Sequence, residues 1–475
     1  MTKHWHLNRL TQNLSAVIVS LALTACSSDD SDSGTGYLLV YNASPNAPEL
    51  TLSIESEDVS AEISGMARYT TSTLLSYESG NYELELAMSK SNDTITTFYD
   101  TEQEISSEDV TMLIVTGDIT SPQFMRYQYE YEDPDTEDEQ FTLRFLNLKQ
   151  GDAPVDVYMS LATQDFNEAT LVESLSFEQL SESHYFDLEE YTFYLTDSGS
   201  DTVLYQSADV PLYYTNQQLI VINPHAGPGD SVYSLDKISS TGSVSQLQDT
   251  LASAKLKVYN AMDRNELLSN YDETFSFHLS GIDDSPEFTA LNRYQMSAGL
   301  DIDAGDYSMD ITTLAQEKLT NSQILSLPAN SDKTVFFYLS EVTEEDDDDE
   351  SLDETTLYVN SLITDNNSVT SPYSHEIQVV NFVEDYASVV VYFVSNDDTV
   401  STTPHKLVNS RAVASKYNLS NGQFDVFVLA QSDSSDILLT SGQLDLDEAS
   451  GNLYLVIEQE DKDLDQFSLQ FLPHG

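Results

Sequence analysis

The chain has 475 residues, of which 81 are Asp or Glu and 18 are Lys or Arg, giving a formal net charge of -63. Holding a phosphate backbone needs clustered Lys and Arg, and no segment supplies such a cluster, so nucleic acid is excluded as a partner. Hydrophobic residues make up 40%, with 28 Tyr and 19 Phe, enough to build packed cores, and a prior of roughly 100–200 residues per domain makes one core unlikely for this length.

Along the chain, Lys3 and Arg9 precede an apolar stretch over residues 14–23, broken only by Ser15 and Ser20, which is the layout of a secretory signal. It is shorter than the ~20 apolar residues that a membrane span needs, and no later segment approaches that length. The stretch ends in Leu23-Thr24-Ala25-Cys26, which resembles the lipobox of bacterial lipoproteins. Cys26 is the only cysteine, which excludes an intramolecular disulfide and a cysteine-based zinc site. The resemblance implies a signal peptide over residues 1–25 and lipidation of Cys26, with more than one acyl chain giving stable attachment. Ser27, where Asp would act as a retention signal, resembles the sorting rule for the outer membrane. Residues 26–36 are polar and of low complexity, a solvated tether.

After the tether the sequence repeats four times. The first unit, 37–131, opens with Leu38-Leu39-Val40-Tyr41-Asn42 and predicts further strands at 50–54, 82–86, 110–116 and 125–131. The acid run at 132–139 follows. The second unit, 141–240, opens with Leu143-Arg144-Phe145-Leu146-Asn147, with strands at 155–159, 191–193, 219–223 and 232–238. A polar stretch at 239–253 leads to the third unit, 254–364, which opens with Leu256-Lys257-Val258-Tyr259-Asn260 and continues at 275–279, 307–311, 335–339 and 356–362. A second acid run, 344–350, lies between its last two strands. A polar stretch at 365–374 precedes the fourth unit, 375–475, opening with Ile377-Gln378-Val379-Val380-Asn381 and continuing at 389–394, 424–428, 453–457 and 467–472. About seven short strands per unit of roughly 100 residues, with no useful helical period, predict an all-β chain of four tandem immunoglobulin-like β-sandwiches rather than a solenoid.

Asn42-Ala43-Ser44-Pro45-Asn46-Ala47-Pro48 and Asp152-Ala153-Pro154-Val155-Asp156-Val157-Tyr158, each followed by a later strand that starts at an aromatic residue, resemble an uncharacterised bacterial family. Its domain of unknown function often stands in tandem on predicted lipoproteins. The resemblance is close in the first two units and weaker in the last two. It implies an exported sandwich module and brings no catalytic residues.

Asn42, Asn147, Asn260 and Asn381 share a strand face with the buried residues two and four positions before them, so each amide is expected to point inward and satisfy backbone groups of the following turn. The six histidines after residue 25 show no H-x-x-H or H-E-x-x-H spacing and read as scattered surface residues. No positioned nucleophile appears. Neither acid run has calcium-loop spacing, although Asp133, Asp135, Glu137 and Asp138 could supply oxygens to a divalent cation. Tyr127, Tyr129 and Tyr131 alternate with Arg126, Gln128 and Glu130, and are expected to face the sandwich core. The sequence therefore predicts a non-enzymatic, cofactor-free lipoprotein of the outer membrane, facing the periplasm or the surface. It would be a structural or interaction module with a protein or glycan partner, the alternative being a glycan-binding or adhesive protein.

Overall fold

The computed structural model describes residues 34–474 except 92–93, 133–138, 152, 226, 281–284, 345–353, 397, 413–414, 432–435 and 462–464. Cys26 and the four candidate cation ligands Asp133, Asp135, Glu137 and Asp138 lie outside the described residues. The chain is all-β, four two-sheet sandwiches in tandem, without an α-helix among the described residues.

The first sandwich contains strands β1 (Thr35–Asn42), β2 (Leu50–Glu55), β3 (Ser60–Met66), β4 (Leu75–Glu78), β5 (Gly80–Ser91), β6 (Thr94–Ile105), β7 (Asp109–Thr116) and β8 (Gln123–Glu130). One sheet has the order β4-β1-β7-β8 and the other β3-β2-β5-β6. β1 and β7 run parallel, Leu38 opposite Thr111 and Asn42 opposite Val115, and every other pair is antiparallel. The third and fourth sandwiches repeat this plan strand for strand. The second repeats it with two changes. Its counterpart of β6 is split into Val203–Gln206 and Val210–Leu212, and an added strand, Val244–Leu247, extends its first sheet. Among the described residues, the eight or ten strands per unit exceed the seven expected, because short edge strands such as β3 and β4 carry few apolar residues and give little alternation.

Period-2 alternation builds each core. Leu50, Leu52 and Ile54 of β2 and Leu84 and Leu86 of β5 are fully buried against Leu38, Val40 and Val115. In the first three sandwiches the tyrosine near the start of the β5-type strand turns its hydroxyl back to main chain four residues earlier, while the fourth has Phe424 there. Tyr82 donates to Glu78 O (2.9 Å), Tyr191 to Asp187 O (2.8 Å) and Tyr307 to Asp303 O (2.6 Å), tying the entry of the strand to the preceding corner. β6 is an open edge, with Asp100, Glu102 and Glu104 exposed along it.

The sheets containing β1 and β7 are buried on both faces. Leu39, Tyr41, Met112 and Ile114 point away from the first core and pack against Leu146, Leu219, Val221 and Ile238 of the second sandwich. In the same way Tyr259 and Phe336 of the third sandwich meet Val380, Phe382, Tyr454 and Val456 of the fourth. The sandwiches are therefore joined face to face in two pairs, and each fully buried large apolar side chain contributes about 1.5–3 kcal/mol. Tyr127, Tyr129 and Tyr131 belong to this inter-sandwich layer, which corrects the expectation that they face the core. Phe124 is the residue of β8 that packs inward, and on its parity Arg126 and Gln128 bond Glu104 O (3.0 Å) and Asp109 (2.6 Å) at the rim.

The second and third connections are not free polar linkers. Residues 239–253 contain the added strand, and Gly242 (φ +82°) lies so close to Thr73 and Leu74 that a Cβ would come within 2.6 Å of main chain. In the third, Tyr373 is buried in the first sandwich's core, and Asn452 Nδ2 donates to Asn367 O and Val369 O, both at 2.8 Å. Residues from Gly34 onward accordingly form one compact unit.

Candidate functional site

The repeated asparagines end the β1-type strands and are at most 1% exposed. Each amide joins the two sheets of its sandwich. Asn42 Nδ2 donates to Met66 O (3.2 Å), Asn147 to Leu175 O (3.0 Å), Asn260 to Leu291 O (3.0 Å) and Asn381 to Val408 O (3.2 Å), all on the opposite sheet. Each Oδ1 accepts the N–H two residues on, from Ser44 (3.3 Å), Lys149 (2.9 Å), Met262 (3.0 Å) and Val383 (2.9 Å), closing a turn. The asparagine carbonyls accept from Tyr69, Glu178, Tyr294 and Arg411 at 2.7–2.8 Å. Those four residues all have left-handed backbones, φ between 54° and 65°, an uncommon conformation for non-glycine residues that recurs here at one place in every sandwich.

One residue earlier on the strand, the side chain points into the inter-sandwich layer. That residue is Tyr41 and Tyr259 in the first and third sandwiches, and Leu146 and Val380 in the second and fourth. Tyr41 donates its hydroxyl to Asp236 Oδ2, while Asn223 Nδ2 donates to both the hydroxyl (2.8 Å) and Oδ2 (2.9 Å). Tyr259 donates to Glu458 Oε1 (3.0 Å), with Gln470 Oε1 3.5 Å away.

Strand register shows these to be one arrangement used twice. Ile222 stands opposite Asn147 and Ile457 opposite Asn381, so Asn223 and Glu458 hold equivalent positions. Asp236 stands opposite Val221 and Gln470 opposite Val456, so these two are also equivalent. Beside each tyrosine lies an Arg-Tyr dipeptide, Arg68-Tyr69 or Arg293-Tyr294, with the guanidinium 4.6 Å and 4.2 Å over its own neighbour's ring.

Burial dominates the electrostatics. It pushes Asp236 up to about 7 against hydrogen bonds from Tyr41 and Asn223 and the charge of Arg68, which act the other way. Burial likewise raises Glu458 to about 8, opposed by the Tyr259 hydrogen bond and by Arg293. Tyr41 is raised well above its ordinary value by burial and then by Asp236, and Tyr69 is pushed up to about 12, mainly by burial. Shifted carboxyls in an open cleft would suggest acid–base chemistry. Here Tyr41, Asn223 and Asp236 are 0% exposed, so no substrate reaches them, and the chemistry of the node is that of a hydrogen-bonded lock between sandwiches.

The near-continuous apolar runs of β1, β7 and their counterparts carried the signal for this layer, because strands buried on both faces lose their alternation. The histidines also differ from expectation. His375 and His474 are fully buried, the first between Gly451 O (2.9 Å) and Asn421 Oδ1 (2.7 Å), the second lowered to about 4, chiefly by burial. The described residues hold no group of three or more metal-ligating side chains and no helix long and apolar enough to cross a membrane. Glu132, at the start of the first acid run, is tied down by Arg144 (2.9 Å) and Ser183 (2.9 Å).

No protein-family model and no curated protein matches the chain. Among solved structures, the Bacillus anthracis TIE protein aligns over 90% of this chain and 75% of its own, at 8% identity and a TM-score of 0.15. BcpA, the major pilin subunit of Bacillus cereus, aligns over 90% and 98%, at 8% identity and 0.15. Trypsin-activated alpha-2-macroglobulin from Escherichia coli aligns over 90% and 32%, at 8% identity and 0.12. Overlaps this poor carry no argument, and the architecture rests on the strand pairing itself.

Proposed function

We propose that the chain is an exported, lipid-anchored, non-enzymatic structural module of the outer membrane, a stiff body carried on a short tether that presents its surface to protein or glycan partners. The observation that carries this reading is the face-to-face joining of the sandwiches. Apolar sheet faces and a repeated polar lock are spent on fixing one sandwich against the next, which suits a body that must hold its shape under load and has no use in a flexible chain of beads. The lipobox-like Leu23-Thr24-Ala25-Cys26 and the polar residues after it supply the attachment. Replacing Cys26 by Ser in the full chain is expected to move the protein from the membrane fraction to the soluble fraction. Unchanged, detergent-dependent fractionation of the variant would remove the anchor from the proposal. Protease shaving of intact cells then separates the two orientations, since a body on the surface is cut from its tether and one in the periplasm is spared.

A further inference from the structure

The first and fourth sandwiches border a cleft of about 450 Å³, lined on one side by the loop after Asn42 and by Arg68, and on the other by residues such as Asn418, Ser420 and Thr370. The volume falls in the range of small-ligand sites, roughly 300–1,000 Å³.

Arg68 differs from its counterpart in the third sandwich. Arg293 is gripped by Asp263 and by Glu273 (3.4 Å). Three residues past the turn asparagine, where the third sandwich has Asp263, the first has Pro45. Arg68 donates from Nη1 to Pro45 O (3.3 Å) and stacks on Tyr69, and no carboxylate among the described residues lies within ion-pairing distance of it. In a chain with 81 acids and 18 bases, a partly buried guanidinium that feels the charge of Asp236 in the layer behind it but makes no ion pair among the described residues, and stands beside a cleft, is a local exception. A second cation stands close by: Lys90 Nζ lies 5.0 Å over the ring of Tyr373, itself a wall of the cleft. Of the two acids there, Glu376 is engaged by Lys416 (3.0 Å) and Gln378 (2.8 Å), which leaves Glu49 as the opposing charge.

We propose that this cleft binds an oligosaccharide bearing a carboxylate, with Arg68 receiving the carboxylate and the hydroxyl and amide side chains around it receiving sugar hydroxyls. A planar guanidinium takes a carboxylate through two parallel hydrogen bonds. The walls favour a sugar over a peptide, because Tyr373 is 5% exposed and packs into the first core, so no ring is open to hold an apolar side chain. The net charge of -63 repels polyanions at long range, which selects a ligand of low charge density over a sulfated or phosphorylated polymer. The inference goes beyond the structural role and does not depend on the anchor.

The test is titration calorimetry on the full chain carrying Cys26→Ser, at an ionic strength of about 0.15 M. The probes are a galactose trimer with one terminal unit replaced by galacturonic acid, the matching neutral galactose trimer, and a short polar peptide with a free C-terminal carboxylate. The acidic trimer is expected to bind, the neutral trimer to bind about tenfold or more weakly, and Arg68→Met to remove that difference. Pro45→Asp, which supplies the partner that Arg293 has, is expected to abolish binding without lowering the melting temperature, which separates loss of the site from loss of the fold. Equal binding of the two trimers, undiminished binding by both variants, a preference for the peptide, or no binding of the acidic trimer would each overturn the proposal.

Discussion

The two inter-sandwich layers solve one problem with the same parts in different places. In the first pair the tyrosine hydroxyl meets an acid, Asp236, on the strand Tyr233–Ser239, and an amide, Asn223, on the strand before it, Gln217–Pro224. In the second pair the acid, Glu458, is on the penultimate strand and the amide, Gln470, on the last. What is kept is the chemistry around the hydroxyl, one carboxyl and one amide, and not the position of either. A buried polar group in an apolar layer stabilises little in itself, but it penalises every arrangement that leaves it unpaired. Each tyrosine thereby sets how its sandwich sits on the next.

The largest test of this comparison is Tyr259→Ala, which removes a fully buried ring from the second layer and leaves Glu458 without its donor. The expected loss is roughly 3–5 kcal/mol in denaturant unfolding of the full chain. A loss below about 1 kcal/mol would show that the layer does not couple the sandwiches.

The pH dependence should differ between the layers. Both carboxyls lie above their ordinary values in the folded chain, so the folded state holds the proton more tightly than the unfolded one. The stability they contribute is complete below about pH 4 and is lost as the pH rises, through about 7 for Asp236 and about 8 for Glu458. Asp236→Asn should therefore flatten the lower part of the decline and Glu458→Gln the upper part, read from denaturation midpoints between pH 5 and 9. Identical profiles for the two variants and the parent would place the pH dependence elsewhere, in the general repulsion among acids.

Next in size is Asn147→Leu, which leaves Leu175 O and Lys149 N without the amide that satisfies them, at a cost of roughly 1–3 kcal/mol. The smallest effect sharpens the comparison most. Exchanging the pair, Asn223→Asp with Asp236→Asn, gives the first layer the second layer's order. It should cost under about 1 kcal/mol, whereas the single changes, added together, should exceed it by a coupling of about 0.5–3 kcal/mol. Additive losses would mean that position matters as well as composition.

Much of the fold was legible because one buried face writes itself as alternation. Leu50, Leu52 and Ile54, or Tyr82, Leu84 and Leu86, announce their strands directly. The asparagines were legible for a related reason, since their parity with two buried neighbours fixes the direction of the amide. Tyr127, Tyr129 and Tyr131 were misassigned because alternation shows which residues share a face but not which face is the core, and a second apolar layer behind the sheet makes the two alike. The polar nodes were hidden by distance. Tyr41 and Asp236 are 195 residues apart, and neither carries a local pattern that names the other. The left-handed residues were hidden too, because Tyr69, Glu178, Tyr294 and Arg411 are not the residue types that mark such a turn.

The acids exposed along β6 have a consequence for crowding. An open strand edge is a template on which a second copy can pair its own backbone, and molecules held side by side on a surface would meet edge to edge repeatedly. Asp100, Glu102 and Glu104 place like charges at alternate positions of that edge, and Asp436 and Asp445 stand exposed on the corresponding edge of the fourth sandwich. Two such edges approaching each other bring carboxylates into register and repel within a screening length of about 8 Å at physiological salt. The acidity along these edges thus acts as a fence against edge-to-edge pairing, one that lowers when salt is concentrated.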